Sequence, residues 1–161
     1  MIYYTECDSP IGKLLLHSDG TALTGLYMDE PRDVPGRETW VEDATAGPLP
    51  ATLRQLLEYF EGSRRDFGLP LCAQGTAFQQ RVWRSLLKIG FGETWSYGEL
   101  AQRIDNPGAA RAVGLANGAN PISIVVPCHR VIGANGTLTG YGGGIERKRW
   151  LLTHEGCAFR G

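Results

Sequence analysis

The chain has 161 residues, 42% hydrophobic and 20% charged, a balance that suits one large or two small packed domains and excludes a disordered tail or a fibrous protein. No apolar run approaches the roughly 20 residues of a membrane helix, and no basic stretch leads into an apolar one at the start, so a soluble, cytoplasmic protein without membrane contact is expected. The net charge of −1 hides an asymmetry: residues 1–74 carry 6 Lys and Arg against 12 Asp and Glu, and residues 75–161 carry 10 against 5, so the second half is the one suited to a polyanion.

In the first half, Ile2 to Thr5, Lys13 to His17 and Ala22 to Met28 are short runs rich in Leu, Tyr and Thr, separated by the turn sequences Ser9-Pro10-Ile11-Gly12 and Asp19-Gly20. They predict a small antiparallel sheet. Residues 31–50, rich in Pro and Gly, predict a loop. Leu53, Leu56, Leu57 and Phe60 recur at helical spacing, which predicts a helix over Ala51 to Glu61, packed on the sheet and stopped by Gly62. Nothing in residues 1–74 suggests chemistry, and they are expected to form a structural α/β domain.

After Leu69-Pro70-Leu71 the pattern turns helical. Thr76-Ala77-Phe78-Gln79 fits a capping box, in which the Thr hydroxyl and the Gln side chain each satisfy a free backbone amide. Phe78, Val82, Leu86 and Ile89 are its expected buried face, and Gly90 and Gly92 its stop. Ser96-Tyr97-Gly98-Glu99 is a second capping box, opening a short helix through Ile104 with Leu100, Ala101 and Ile104 inward. Asp105-Asn106-Pro107 breaks the chain, and Asn106 as N-cap with Pro107 at the first helical position predicts a further helix to about Asn117. Two helices so closely joined suggest a helix-turn-helix. The second carries Gly108, Ala109, Ala110, Ala112, Gly114 and Ala116 around Arg111. Small residues suit tight helix packing, and equally a flat face laid in a nucleic-acid groove with Arg111 as its long probe.

Asn120-Pro121 leads into Ile122-Ser123-Ile124-Val125-Val126, expected as a short buried strand that delivers Pro127-Cys128-His129-Arg130. A lone cysteine is commonly an inert core residue. Here a histidine follows it, and the next loop holds Gly133, Gly136, Gly140, Gly142, Gly143 and Gly144, a composition that lets backbone approach a ligand. A nucleophilic thiol needs a base, and that base needs an orienting partner. His129 supplies the first. Glu155 supplies the second, at the end of a predicted helix over Ile145 to Glu155 with Trp150 and Leu151 inward, where an anion is unfavourable with the helix dipole. Cys7, Cys72, Cys128 and Cys157 are too scattered for a disulfide framework or a zinc site, so reduced thiols and no metal or cofactor are expected.

The string Pro127-Cys128-His129-Arg130-Val131 resembles the active-site signature of the O6-alkylguanine-DNA alkyltransferases, also called methylated-DNA–protein-cysteine methyltransferases. The resemblance extends to Thr76-Ala77-Phe78-Gln79, Gly92-Glu93-Thr94 through Ser96-Tyr97, Ala110-Arg111-Ala112-Val113-Gly114, Asn120-Pro121, Tyr141-Gly142-Gly143-Gly144, and Trp150-Leu151-Leu152 through His154-Glu155-Gly156. Residues 1–74 resemble the family's more variable N-terminal domain, anchored by Asp8-Ser9-Pro10-Ile11-Gly12.

The resemblance implies an α+β protein of two domains, 1–74 and 75–161, the second mainly helical, with the helix-turn-helix and the active-site cysteine. Its activity would be single-turnover repair of duplex DNA carrying O6-alkylguanine, and also O4-alkylthymine, by a protein that is a monomer in solution and can assemble cooperatively on DNA. Cys128 would accept the alkyl group, with His129 as base through a water, Glu155 orienting it and Asn120 bracing the turn. Tyr97 would displace the target phosphate and donate a hydrogen bond to the purine. Arg111 would enter the base stack from a helix face of Ala109, Ala110, Ala112 and Gly114. Ser123, Val131, Leu138, Tyr141, Gly142 and Gly143 would line the pocket, Ser123 standing where proline or alanine is usual. Zinc ligands of some animal relatives have no counterparts, since Cys7 and His17 stand without the others. Two possibilities compete: a DNA-binding or damage-recognition protein of the alkyltransferase-like type, whose members lack the acceptor cysteine that is present here as Cys128, and a cysteine hydrolase using Cys128 and His129, which would leave the helix-turn-helix idle.

Overall fold

The computed structural model describes residues 1–28, 36–141 and 144–160, which form two compact units, Met1–Gln74 and Gly75–Gly161. It is a mixed α+β structure.

In the first unit, β1 (Tyr3–Cys7), β2 (Leu14–Ser18) and β3 (Leu23–Tyr27) pair antiparallel in that order. The segment expected to be only loop adds a 3-10 turn at Arg37–Thr39 and a two-residue strand, β4 (Val41–Glu42), which pairs parallel with β1 to give the order β3-β2-β1-β4. Two residues show no periodicity, so β4 was unreadable in the sequence. Helix α1 (Leu49–Glu61) lies against β1 and β2 and ends at Gly62, whose φ of 89° only glycine adopts cheaply. Its buried stripe is Leu49, Thr52, Gln55, Leu56 and Tyr59. The expected stripe is therefore turned by about one position: Leu56 is buried, Leu53 and Phe60 are half-buried, and Leu57 is exposed. Gln55 can be inside because its amide exchanges two hydrogen bonds with the Gly68 backbone, at 3.0 and 2.9 Å.

The second unit begins with α2 (Ala77–Leu86). Both halves of its capping box form: Thr76 Oγ1 accepts from the Gln79 amide at 3.1 Å, and Gln79 Oε1 accepts from the Thr76 amide at 2.9 Å. Val82, Trp83, Ser85 and Leu86 are buried, with Ile89 beyond the helix end, whereas Phe78 is only half-buried. The Trp83 indole nitrogen finds a backbone carbonyl, Ala116 O, at 2.8 Å. The second capping box opens α3 (Tyr97–Arg103) in the same way, Ser96 with Glu99.

The connection to the next helix corrects one expectation. Asn106 is not an N-cap. It ends α3: the Asn106 and Asp105 amides return to the Ala101 and Gln102 carbonyls, at 2.9 and 3.0 Å, around Asp105 in a left-handed conformation with φ 57°. Pro107 and Gly108 then turn the chain, and α4 (Ala110–Gly118) starts three residues later than expected, after Ala109. It packs on α2 and α3 through Val113, Ala116 and Asn117.

Residues 122–126, expected as a strand, form a buried turn. The Val125 amide reaches Ser123 O at 2.8 Å, the Val126 amide reaches Ile122 O at 3.0 Å, and Ile124 sits at φ 71°. Their apolar run reflects burial, which a strand and a buried turn share. Beyond it, β6 (Val131–Ile132) pairs parallel with β5 (Trp95–Ser96), followed by the loop to α5 (Ile145–His154). Helix α5 buries Lys148, Leu151 and Leu152, while Trp150, expected inward, is half-buried and stacked on His154.

Candidate active site

Cys128 opens a 3-10 turn, Cys128–Arg130, and is 4% exposed. The turn is held from below by two asparagines. Asn120 Nδ2 donates to Val126 O at 2.9 Å and to Ile122 O at 3.3 Å, while Asn120 Oδ1 accepts from the Ile122 amide at 3.0 Å. Asn117 Nδ2, from the last turn of α4, donates to Cys128 O at 3.3 Å. A β-branched residue at positive φ is disfavoured by ordinary backbone sterics, and this mesh offsets that cost at Ile124. Burial pushes the Cys128 thiol up. Hydrogen bonding from Asn120, the charge of Lys148, the backbone and the Tyr141 hydroxyl act in the opposite direction without overcoming it. The resting sulfur is therefore a protonated thiol that needs a base.

His129 is fully buried beside it. Its Nε2 lies 2.8 Å from Glu155 Oε2, so Nε2 carries the hydrogen and Nδ1 is left as the acceptor. Nδ1 is buried and has no hydrogen-bond partner among the described residues. Burial lowers the His129 pKa, against the pull of Glu155, and keeps the ring neutral. Burial alone would raise Glu155, yet the hydrogen bond from His129, together with the hydrogen bonds and charge of Arg130, brings it down to about 2.

Arg130 and Lys148 belong to this site, and sequence reasoning assigned a role to neither. Arg130 clasps both Glu155 oxygens, Nε to Oε1 at 2.7 Å and Nη2 to Oε2 at 3.1 Å, and its Nη1 donates to Ile89 O at 2.6 Å. This bidentate pair explains how a carboxylate survives at the C-terminal end of α5, where the dipole opposes it. Lys148, also on α5, is completely buried, and its ammonium donates to Val131 O at 2.7 Å. Burial brings its pKa down to about 8, while a thiolate at Cys128 would pull it the other way. Position Arg130 was quoted within the signature string, but a charged residue on a helix gives no sequence sign of burial, and Lys148 could not be found that way.

Around this centre the other expected site residues divide. Because β5 pairs with β6, Tyr97 starts α3 directly beside the strand that leaves Cys128–Arg130. Its hydroxyl lies 2.5 Å from Thr139 Oγ1. Gly114 on α4 faces the Tyr97 ring, where an added Cβ would sit 3.7 Å from two ring carbons. Val131 is buried and holds Lys148, and Ser123 is half-buried in the turn. Leu138 packs against Ile132, Leu152 and Cys157. Gly142 and Gly143 lie outside the described residues. On α4, Arg111 and Ala112 are exposed, Ala109 and Ala110 are half-buried, and Leu115 is 75% exposed one turn beyond Arg111. Arg111 is thus not the only long side chain on that face. Among the described residues no cluster of His, Cys, Asp and Glu could hold a metal ion, and no helix is long and apolar enough to cross a membrane.

Two family models match the chain. One, described as 6-O-methylguanine DNA methyltransferase, DNA binding domain, covers residues 77–157; the other, the ribonuclease-like domain of the same family, covers residues 2–73. A methylated-DNA–protein-cysteine methyltransferase of Mycobacterium bovis is 57% identical over 155 residues, 96% of this chain and 93% of that protein. The crystal structure of Mycobacterium tuberculosis O6-methylguanine methyltransferase matches with a TM-score of 0.89 at 56% identity, covering 97% of this chain and 93% of that one. A crystal structure of Mycobacterium tuberculosis OGT in complex with DNA matches with a TM-score of 0.87 at 55% identity over 96% and 92% of the two chains. With both of its units matched in order and nearly in full, the chain belongs to the 6-O-methylguanine DNA methyltransferase family.

Proposed function

We propose that this protein repairs DNA directly, taking the alkyl group from O6 of a guanine in duplex DNA onto Cys128. The observation that carries this is the buried Cys128 thiol beside a neutral His129 whose Nε2 is committed to Glu155 and whose Nδ1 is not. His129 Nδ1 takes the thiol proton through a bridging water as the sulfur attacks the alkyl carbon. The new S–C bond forms as the C–O6 bond breaks, and its electron pair passes to the purine. The proton returns to the purine, leaving guanine and S-alkylcysteine. A thioether has no ready leaving group, so each molecule acts once.

Guanine leaves readily only if its developing charge is met by donors, and Tyr97 is the side chain proposed to supply one. The target base must leave the duplex to reach a buried sulfur, and the exposed face of α4 with Arg111 is proposed to enter the stack in its place. Ser123, Val131, Tyr141, Gly142 and Gly143 are proposed as pocket wall. The same chemistry extends to O4-alkylthymine, whose alkylated oxygen is also an aromatic ring ether. A monomer acting on DNA in the cytoplasm, with cooperative assembly along the strand, fits the basic residues 75–161.

Mass spectrometry after incubation with excess O6-methylguanine duplex tests the proposal. One methyl group is expected on the peptide holding Cys128 and on no other cysteine, with Cys128→Ala binding DNA but transferring nothing. Repeated turnover by unmodified protein, or labelling at Cys7, Cys72 or Cys157 in place of Cys128, overturns it.

A further inference from the structure

Tyr97 and Thr139 are joined hydroxyl to hydroxyl at 2.5 Å, at the short end of O–H···O bonds. Tyr97 begins α3, and its ring rests against Gly114 of α4. Thr139 lies in the loop between β6 and α5, two residues before Tyr141, whose hydroxyl is one of the groups that pull the Cys128 thiol's pKa down. The pair thus ties the helix-turn-helix to the loop that reaches the reactive sulfur.

Only one proton can lie between two hydroxyl oxygens. When Tyr97 gives its own proton to Thr139 it has none for a substrate. When Thr139 donates, the Tyr97 oxygen accepts and its O–H is free to point elsewhere. In that second arrangement the two bonds run in series, and a donor that is itself accepting a hydrogen bond is polarised to donate more strongly. Thr139 suits this task because a β-branched side chain has few rotamers and holds its oxygen in place.

We propose that Thr139 is a positioning residue that acts through Tyr97: its hydroxyl aims the phenol and, by donating to it, strengthens the hydrogen bond that Tyr97 gives the purine as charge develops there. This role presupposes the alkyl transfer to Cys128 argued above. It adds Thr139 as the outer member of a chain running from Thr139 to Tyr97 to a purine ring nitrogen.

Single-turnover transfer rates test it, using full-length wild type, Thr139→Val, Thr139→Ser, Tyr97→Phe and the Tyr97→Phe/Thr139→Val double variant. Substrates are duplexes with O6-methylguanine or with analogues in which N1 or N3 is replaced by carbon. Removing one hydrogen bond from the chain should slow Thr139→Val by about 3- to 10-fold on the natural substrate. Thr139→Ser should recover most of that loss. In the Tyr97→Phe background, Thr139→Val should have no further effect, and its penalty should vanish on the one analogue that lacks the accepting nitrogen. An unchanged Thr139→Val rate, an equal loss on all three substrates, or a loss that adds to that of Tyr97→Phe overturns the role. A wild type that moves no methyl group to Cys128 overturns the proposed function itself, which separates the two failures.

Discussion

Lys148 gives its ammonium to the backbone carbonyl of Val131 at 2.7 Å while wholly enclosed by protein. Its charge is one of the few influences holding the Cys128 thiol below the level that burial alone would set. Lys148→Met should therefore raise that thiol further and slow transfer at pH 7. Its rate should recover at higher pH, and Lys148→Arg should keep part of the effect. Rates measured from pH 6 to 9.5 would contradict this if the Met variant and wild type ran parallel.

The same burial makes a separate forecast about stability. With a folded pKa of about 8 against the ordinary 10.5, Lys148 binds its proton less tightly folded than unfolded. Between those values the unfolded chain holds more protons, so wild-type stability should climb as pH rises from about 8 to 10.5. Urea unfolding of Lys148→Met should show a weaker climb.

Glu155 serves two partners, the neutral His129 ring and the Arg130 guanidinium, and they predict different defects. Its folded pKa of about 2 against the usual 4.5 stabilises the fold above pH 4.5, and that contribution is lost as pH falls towards 2. Arg130→Met takes the guanidinium away from Glu155 and leaves the His129 hydrogen bond in place, so acid unfolding should begin at higher pH. Breaking such a buried pair costs about 3–5 kcal/mol at neutral pH. Glu155→Gln should instead slow transfer by roughly 10²–10⁴-fold, the range for general-base assistance, with DNA affinity near wild type. Transfer at the wild-type rate by Glu155→Gln would remove it from the relay.

The parts legible in the sequence are those with local causes. Both capping boxes form because the Thr76 and Ser96 hydroxyls and the Gln79 and Glu99 side chains lie within one turn of their partners. Cys128, His129 and Glu155 could be named because their chemistry marks them, even though His129 and its carboxylate are 26 positions apart. What escaped depends on distant partners. The pairing of Trp95–Ser96 with Val131–Ile132 involves two residues a side, too few for a pattern. Asn106 reads as a cap in either direction, and only the bond to Ala101 O decides that it closes α3. Arg130 and Lys148 are charged residues made tolerable inside by partners far off in sequence, Glu155 and Val131.

His17 predicts a pH response in the first unit, to which no chemistry is assigned. It is buried on β2 with its ring edge-on to Trp40 at 4.8 Å, and Nδ1 lies 2.6 Å from Thr24 Oγ1. Gly25 on β3 leaves it room: a Cβ there would come within 2.3 Å of Nε2. Burial lowers the His17 pKa to about 4, from an ordinary value of 6.5. The unfolded chain thus binds the proton first, and stability should fall as pH drops from about 6.5 to 4, by on the order of 3 kcal/mol. In His17→Phe this part of the slope should shrink even if the baseline stability changes. A slope equal to that of wild type would mean that other groups carry it.

Arg111 and Leu115 stand one helical turn apart on α4 and are both exposed, as is Ala112. If Arg111 fills the gap left by an extruded guanine, Arg111→Ala should slow repair of duplex DNA far more than dealkylation of free O6-methylguanine, because only the duplex requires flipping. A simple phosphate contact would behave differently. Its loss should weaken binding to all sequences, reduce the salt slope by about one unit, and be largely restored in Arg111→Lys. Leu115→Ala gives the internal comparison: it removes bulk from the same face without charge, so a filler role shared by the two residues would slow duplex repair in both variants while leaving the salt slope of Leu115→Ala unchanged. Rates for wild type, Arg111→Ala, Arg111→Lys and Leu115→Ala on duplex and free base separate these cases. An equal loss on both substrates in Arg111→Ala would assign the residue to the pocket or the fold and not to base extrusion.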